Sequence, residues 1–161
     1  MDRLWAPWRM AYILSGDERA EECIFCAFPA RDRNRDDLVL HVEDHAFVML
    51  NKFPYNNAHL MVIPRAHVAD PAQLSKVENA ALSDLLWRTT TILKEAVNAQ
   101  GFNVGMNLGR VAGAGIDQHC HWHVVPRWND DTNFMPVVGD VKVLSEHLMG
   151  TYDRLAPYFK K

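Results

Sequence analysis

The chain has 161 residues, of which 48% are hydrophobic and 23% are charged, a composition that predicts one folded domain and excludes wholesale disorder. Its formal net charge of −3 supplies no basic field for sequence-independent binding, so we expect no nucleic-acid partner. The three cysteines are too few for a disulfide scaffold and suit a reducing compartment. Residues 1–10 lack the apolar region of a signal peptide, and no apolar run approaches the roughly 20 residues of a membrane span. We therefore expect a cytoplasmic protein with no membrane partner.

The first third of the chain predicts an irregular segment followed by strands. Residues 1–35 carry many charges and turn formers, and we expect irregular structure there, interrupted by the motifs WAPW at 5–8 and CIFC at 23–26. Short apolar runs separated by turn residues then predict strands at Leu38–Val42, Ala46–Asn51 and His59–Ile63.

A long helix and two further strands follow. Ser75 and Glu78 fit a capping box, apolar residues at helical spacing continue to Val97, and Gly101 is expected to end the helix. We interpret this helix as a packing element against a sheet. The remaining predicted elements are strands at 102–108 and 119–127, joined by a glycine-rich stretch, and a C-terminal helix over 141–158.

The last predicted strand carries three histidines at period two. Because side chains alternate along a strand, His119, His121 and His123 should share one face. We expect Cys120, Trp122 and Val124 on the other face, under the helix. The outer two histidines would lie roughly 13 Å apart, so one metal ion bound by all three would be strained. A row of three imidazoles is better suited to binding a linear, multiply charged ligand. The alternative is that the histidines form the exposed polar face of an edge strand and bind nothing.

The pattern His-x-His-x-His followed by two apolar residues resembles the signature of the histidine triad (HIT) superfamily of nucleotidyl hydrolases and transferases. The stretches Phe47–Asn51 and His59–Pro64, and Asn107 twelve residues before His119, match other parts of the family pattern. The similarity covers about residues 23–128. The N-terminal motif at 4–10 and residues 126–134 are similar to the bacterial branch that includes diadenosine tetraphosphate phosphorylases and Fhit-like hydrolases.

The resemblance implies an α+β HIT-like fold. Its expected parts are an antiparallel sheet of about five strands, one long helix and a C-terminal helix, assembled as a homodimer. It implies a single domain over 1–161, with an N-terminal extension at 1–35, the HIT core at 36–128 and a C-terminal segment at 129–161.

The resemblance also implies the catalytic roles. His121 would be the nucleophile that attacks the α-phosphorus and forms a nucleotidyl-histidine, which water or phosphate then cleaves. His123 and His59 would stabilise charge beside the phosphates, and His119 completes the catalytic set.

The nucleotide-binding roles are implied in the same way. One asparagine would bind the ribose hydroxyls, and a second asparagine and the glycine loop would bind the phosphate oxygens. Apolar and aromatic side chains would bind the base. The implied residues are Phe47, Leu50, Asn51, Asn107, Gly113, Ala114, Gly115, Gln118 and Trp128. Core packing for Phe47 and Leu50, and surface packing for Trp128, are the alternatives.

The loop before the triad departs from the family pattern. Hint-like and Fhit-like members usually carry Gln and then Ser or Thr where this chain has Gly115 and Ile116, which weakens a phosphoramidase interpretation. Phosphorylase members carry Gly-Ser where this chain has Ala114 and Gly115. The choice between water and phosphate as acceptor therefore stays open.

The CIFC motif is half of a zinc site or a redox pair, and the βαβ context of a redox pair is missing. The resemblance implies that His67 and His119 join Cys23 and Cys26 in a closed, structural Cys2His2 zinc site. Two buried thiols are the alternative. We expect no organic cofactor.

The leading hypothesis is an enzyme that cleaves dinucleoside polyphosphates, above all diadenosine tetraphosphate, so purine nucleotides are the expected partners. Three alternatives are nucleotidyl transfer or phosphoramidate hydrolysis on a mononucleotide, a nucleotide-binding adaptor with incidental activity, and a zinc hydrolase. The three remaining histidines, His41, His45 and His147, receive no role.

Overall fold

We describe the fold from a computed structural model, which describes residues 22–31, 34–132, 138–139 and 143–160. The WAPW motif, residues 133–137 and the start of the predicted C-terminal helix at 141–142 lie outside the described residues. The strands are β1 (Val39–Val42), β2 (Ala46–Leu50), β3 (Leu60–Pro64), β4 (Gly101–Met106) and β5 (Trp122–Arg127). The helices are α1 (Ile24–Ala27), α2 (Lys76–Val97) and α3 (Leu148–Phe159). Short 3₁₀ turns occupy Phe28–Ala30, Pro71–Gln73 and Arg110–Ala112.

The five strands form one sheet in the order β1-β2-β3-β5-β4, and every neighbouring pair is antiparallel. The order follows from the connections: a short turn joins β1 to β2 and the loop at 51–59 joins β2 to β3, whereas α2 carries the chain across to β4 at the edge. This confirms the predicted α+β architecture with a five-stranded antiparallel sheet, a long helix and a C-terminal helix.

The long helix α2 begins as the sequence predicts and ends earlier. The hydroxyl of Ser75 accepts from the Glu78 N–H, and the Glu78 carboxylate accepts from the Ser75 N–H, which completes the predicted capping box. The helix ends at Asn98, which takes the left-handed conformation at φ 52°. Gly101 is therefore wrong as the stop: asparagine tolerates this conformation, and Gly101 begins β4 instead.

One face of the sheet lines a cavity, and the other face packs against α2. Paired residues share a face, and Met49, Met61 and His123 form one row across β2, β3 and β5. That row lines a cavity. No residue of α2, which is described in full, lines that cavity, whereas α2 contacts β2, β3 and β5, so α2 covers the opposite face. Its buried side chains are Leu82, Leu85, Leu86, Thr89 and Leu93.

The C-terminal helix α3 packs against β1 and α2. The buried hydroxyl of Tyr152 donates to the carbonyl of Val39 at 2.9 Å, and Arg35 makes two 2.8 Å hydrogen bonds to the carboxylate of Asp153. These contacts hold the segment before β1 against α3. None of the described helices is both long enough and apolar enough to cross a membrane.

Several predicted boundaries move, and the histidine strand changes most. β5 begins at Trp122, so His119 and His121 precede the strand, because the Cys120 N–H donates to Val68 at 2.7 Å rather than to a ladder partner. Cys120 is accordingly buried before β5 and not under α2 as part of the strand. Elsewhere β3 begins at Leu60, β4 ends at Met106, α1 forms within the segment predicted to be irregular, and α3 begins at Leu148.

Candidate functional site

A cavity of about 640 Å³ lies on the sheet face that carries His123. Its floor comes from β2, β3 and β5, and its rim comes from the loop after β2 and the glycine-rich loop before β5. Both His121 and His123 line it. A space of this size falls in the range of small-molecule and cofactor sites.

His121 is held in one orientation by the chain just before it. Its Nδ1–H donates to the backbone carbonyl of His119 at 3.0 Å. Because a neutral imidazole carries one proton, this bond leaves Nε2 as a lone pair. Burial lowers the pKa of His121, although the bond to His119 acts in the opposite direction. The neutral, nucleophilic form is therefore the favoured one at neutral pH.

His123 belongs to a chain of hydrogen bonds that starts at the backbone. The Tyr55 N–H donates to His59 Nδ1 at 3.0 Å, so the proton of His59 lies on Nε2. That nitrogen is 3.0 Å from His123 Nδ1, to which it donates. The remaining proton of His123 is then on its own Nε2. His123 is thus set up as a hydrogen-bond donor next to the lone pair of His121, whose ring centroid is 4.9 Å away.

Asn51 and the glycine-rich loop provide polar groups around the cavity. Asn51 follows β2, lines the cavity and accepts from the Phe53 N–H at 2.9 Å, which shapes the rim. Gly113 and Gly115 also line it. Gly113 adopts φ 93°, a conformation that a side chain would strain.

Other predicted nucleotide-binding residues do not reach the described cavity wall. Ala114 is buried within the loop and Gln118 is exposed. Asn107 directly follows Met106, which pairs with Trp122, so it lies at the same end of the sheet as His121 without lining the cavity.

The predicted base-binding side chains of β2 lie on opposite faces of the sheet. Leu50 pairs with Leu60 and alternates with Met49, so it points to the α2 face of the sheet. Phe47 is fully buried beneath the cavity, 6.5 Å from the ring of Phe25. Both side chains are buried, and neither lines the described cavity.

Trp128 does not line the described cavity. Its Nε1–H donates to the carbonyl of Val97 at 3.0 Å, at the end of α2. It lies five residues beyond His123, roughly 17 Å along an extended chain. In the structure Trp128 joins the end of β5 to the end of α2, and its contact with a base stays a prediction.

The apolar wall of the cavity comes from two segments that flank the sheet. α1 and its continuation contribute three side chains, and the first turn of α3 contributes two. Sequence reasoning missed them as site residues, although two of them stand between the paired cysteines. They are Ile24, Phe25, Phe28, Leu148 and Met149.

Cys23, Cys26, His67 and His119 converge next to this wall, as predicted, with one potential ligand atom each and all four atoms within 4.8 Å of one another. Three measured sulfur–nitrogen separations are 3.3, 3.5 and 3.7 Å. Tetrahedral zinc with bonds of about 2.3 Å to sulfur and 2.0–2.1 Å to nitrogen requires about 3.5–3.6 Å between such atoms. The four donors therefore fit one four-coordinate metal ion.

The hydrogen bonds around this cluster agree with a ligand role. His119 Nε2–H donates to the carbonyl of Pro64 at 2.8 Å, which leaves Nδ1 as a lone pair directed at the sulfurs. Burial and the neighbouring Cys23 raise the pKa of Cys26 to about 11, so the thiolate pair is disfavoured without a cation. The Phe25 ring connects the cluster to the cavity, with its centroid 5.5 Å from His119 and 5.0 Å from His121.

The histidines without a predicted role lie outside both clusters. His41 Nε2 is 3.0 Å from a Glu43 carboxylate oxygen, and His147 accepts from the Met149 N–H at the start of α3.

Comparison with known proteins then identifies the family. The family described as "HIT domain" matches residues 32–130. The chain belongs to the HIT domain family. This confirms the resemblance stated from the triad, and it shows that α1 and α3, which supply the apolar wall, lie outside the matched HIT region.

Relatives and solved structures agree with this assignment. An "AP-4-A phosphorylase" of Mycobacterium tuberculosis is 34% identical over 163 residues, covering 97% of this chain and 83% of the relative. An "Adenosine 5'-monophosphoramidase hnt1" of Schizosaccharomyces pombe is 31% identical over 109 residues, covering 68% and 77%. The fold matches a zinc-bound histidine triad family protein of Mycobacterium smegmatis with TM-score 0.67 and 22% identity, covering 86% of this chain and 94% of that one.

Proposed function

We propose that this HIT protein cleaves dinucleoside polyphosphates, with diadenosine tetraphosphate as the leading substrate, through a nucleotidyl-histidine on His121. The observation that carries the proposal is the tautomer of His121, whose Nε2 lone pair stands in the cavity because Nδ1–H is bound to the His119 carbonyl. The relative named AP-4-A phosphorylase, similar over nearly the whole chain, supports this substrate class.

In the first step, His121 Nε2 attacks the α-phosphorus. A P–N bond forms, the P–O bond to the polyphosphate breaks, and the leaving nucleotide departs with that electron pair. The imidazole becomes positively charged and keeps its Nδ1–H bond to the His119 carbonyl. His123 Nε2–H stabilises the developing negative charge on oxygen, and His59 holds His123 in the required tautomer.

In the second step, an acceptor oxygen attacks the same phosphorus from the side that the leaving group vacated. The P–N bond breaks and its electron pair returns to His121 Nε2. Water as acceptor releases a nucleoside monophosphate, and inorganic phosphate releases a nucleoside diphosphate. We propose that Asn51 contacts the ribose, while Asn107 and the loop with Gly113 and Gly115 contact the phosphates.

A second candidate is nucleotidyl transfer or phosphoramidate hydrolysis on a mononucleotide. The relative named as a monophosphoramidase supports it. Against it, the cavity wall has Gly115 and the apolar Ile116 where Hint-like and Fhit-like members usually carry polar residues. The adaptor alternative is weaker, because the hydrogen-bonded His59–His123 pair and the oriented His121 serve chemistry rather than binding alone.

Product analysis with diadenosine tetraphosphate, with and without phosphate, tests the proposal. ADP and ATP formed only with phosphate identify a phosphorylase, and AMP and ATP formed without it identify a hydrolase. Turnover of adenosine phosphoramidate alone would favour the second candidate. Tight nucleotide binding without turnover of either substrate would contradict the enzymatic proposal.

We also propose zinc at Cys23, Cys26, His67 and His119. The two thiols, two imidazoles and near-tetrahedral spacing support it. With four protein ligands, zinc would hold α1 against the chain before β5 and supply no open position for water. Metal analysis of protein purified without chelator should give about one equivalent per chain. Cys23→Ala should abolish it, whereas Cys120→Ala, which removes the third and separate thiol, should not.

The remaining predictions concern assembly and location. We propose a homodimer, since β4 lies at the sheet edge and pairs with β5 alone among the strands that the structure describes. Sedimentation that gives a monomer mass at micromolar concentration would contradict it. We propose one domain over the whole chain, because the flanking α1 and α3 complete the cavity. Cytoplasmic location stays a prediction from the cysteine content.

A further inference from the structure

One tyrosine contacts both members of the hydrogen-bonded histidine pair. The ring centroid of Tyr55 lies 4.6 Å from that of His59 and 5.5 Å from that of His123. The same residue donates its backbone N–H to His59 Nδ1 at 3.0 Å. Tyr55 therefore fixes one nitrogen of His59 through its backbone and places its side chain against both imidazoles.

The Tyr55 ring lies closer to parallel than to perpendicular with both imidazoles. The angle between ring planes is 39° with His59 and 35° with His123, whereas His121 meets the His123 ring edge-on at 74°. A ring packed in this way opposes rotation of either imidazole. The hydrogen bond between the two histidines constrains only the nitrogens that it joins.

The loop that carries Tyr55 is fixed on both sides of it. The Asn51 N–H donates to the His59 carbonyl at 2.9 Å, which closes the loop at its base. The side-chain amide of Asn56 donates at 3.1 Å to the carbonyl of Pro126, which lies on β5, the strand of His123. The backbone next to Tyr55 is thus tied to the strand whose histidine its ring contacts.

The orientation of the pair decides where one proton points. Because His59 Nε2–H donates to His123 Nδ1, the proton of His123 stays on its own Nε2. The proposed first step uses this N–H to stabilise the charge that develops on oxygen as the P–O bond breaks. A rotation of either imidazole would turn the N–H away from the leaving oxygen.

We propose that Tyr55 is a positioning residue for the reaction: its ring holds the His59–His123 pair in the orientation in which His123 Nε2–H meets the leaving oxygen. The inference rests on the proposed function, because it concerns the departure of a leaving group from a nucleotide. It deepens that function by assigning support of the leaving group to the loop after β2. In the glycine-rich loop, Gly115 and Ile116 carry no polar side chain for this task.

The test compares two substrates that share the adenylyl group and differ in the leaving group. The phenyl ester of AMP releases a more basic phenolate than the 4-nitrophenyl ester, so its cleavage depends more on a hydrogen-bond donor. Tyr55→Leu should lower kcat/KM by about 30-fold for the phenyl ester and by about 3-fold or less for the nitrophenyl ester. Tyr55→Phe, which keeps the ring, should recover most of both values.

The ratio of the two losses separates positioning from packing. A ring that only filled space or contacted the adenosine would lower both values by the same factor, because the two esters share that part. Equal losses in Tyr55→Leu would therefore overturn the inference, as would a loss in Tyr55→Phe as large as that in Tyr55→Leu. Tyr158→Leu, which changes a partly buried tyrosine of α3 that does not line the described cavity, is the matched control and should leave the ratio unchanged.

A second measurement tests the inference without turnover. Nitrogen-15 chemical shifts distinguish protonated from unprotonated ring nitrogens, and in the unmodified chain they should show the His123 proton on Nε2 alone. In Tyr55→Leu they should move towards the average of two tautomers, and unchanged shifts would overturn the role of Tyr55. If the unmodified chain cleaves neither ester nor diadenosine tetraphosphate, the proposed function fails, and the shifts alone then decide whether Tyr55 holds the pair.

Discussion

His119 and His121 are two residues apart and both buried, yet they use opposite nitrogens of the same ring. His119 donates Nε2–H to Pro64 and turns the Nδ1 lone pair towards the cysteine sulfurs. His121 donates Nδ1–H to the His119 carbonyl and keeps its Nε2 lone pair for the cavity. The difference teaches that the backbone acceptor, and not the spacing of the histidines, decides which ring nitrogen keeps its lone pair and where that lone pair points.

The two regions are also joined. The His119 ring belongs to the cysteine cluster, and its backbone carbonyl orients the His121 ring. A variant can remove a side chain from the cysteine–histidine cluster and leave the His119 carbonyl in place. Variants can therefore separate the structural role of the cluster from the orientation of His121.

The largest effect is expected from His121→Asn. The amide keeps the polarity of the site but cannot form the nucleotidyl intermediate, so kcat should fall by about 10⁴-fold or more. Nucleotide affinity should change little, since the walls of the cavity are untouched. Steady-state kinetics and titration with AMP check both parts, and retained turnover would contradict the nucleophile assignment.

A smaller effect is expected from His59→Phe, which keeps the ring shape but removes both nitrogens. The change removes the hydrogen bonds that His59 makes to His123 Nδ1 and to the Tyr55 N–H, so the contact that fixes the tautomer of His123 is lost. Because His59 acts through His123, kcat should fall by less than the about 10²–10⁴-fold that a general acid contributes. A loss as large as that of His121→Asn would show that His59 is more than a positioning residue.

His67→Ala is expected to disturb the cysteine–histidine cluster and to leave the cavity with His121 largely unchanged. The exposed His67 ring contributes to the metal cluster but does not line the cavity, and the carbonyl that orients His121 stays in place. Metal content should therefore fall and the melting temperature should drop by about 5 °C or more, with kcat changed only a few-fold. His45→Ala, an exposed histidine outside the cluster, is the control.

Full metal content in His67→Ala would contradict the four-ligand cluster. A kcat loss matching that of His121→Asn would instead mean that the two regions cannot be separated.

The smallest effect is expected from Trp128→Phe. The change removes the hydrogen bond to Val97, so the free energy of unfolding should fall by about 1 kcal/mol while KM stays constant. Denaturant unfolding and kinetics measure these quantities, and a several-fold rise in KM would restore a nucleotide-binding role for Trp128.

The sequence predicts the parts of the fold that depend on local patterns. The capping box of α2, the three histidines and the order of strands and helices can all be read from short stretches, because propensity, capping and alternation act over a few residues. The family resemblance adds the cysteine–histidine cluster, which the structure brings together.

The features that the sequence does not predict depend on contacts between residues that lie far apart in the chain. The start of β5 at Trp122 depends on a hydrogen bond from Cys120 to Val68, and the orientation of Leu50 towards α2 depends on its pairing with Leu60. The apolar wall combines Phe25 with Met149, which come from opposite ends of the chain. Such tertiary contacts leave no local periodicity, so the sequence alone could not place them.

The central claim is the covalent bond between His121 and phosphorus. Mass spectrometry of the intact chain, quenched in base during turnover of diadenosine tetraphosphate, measures it directly, because a P–N bond to histidine survives base and is cleaved by acid. We expect a mass increase of one adenylyl group that maps to His121, disappears on acid treatment and is absent from His121→Asn. Turnover without any such adduct, or an adduct that persists in His121→Asn, would contradict the account.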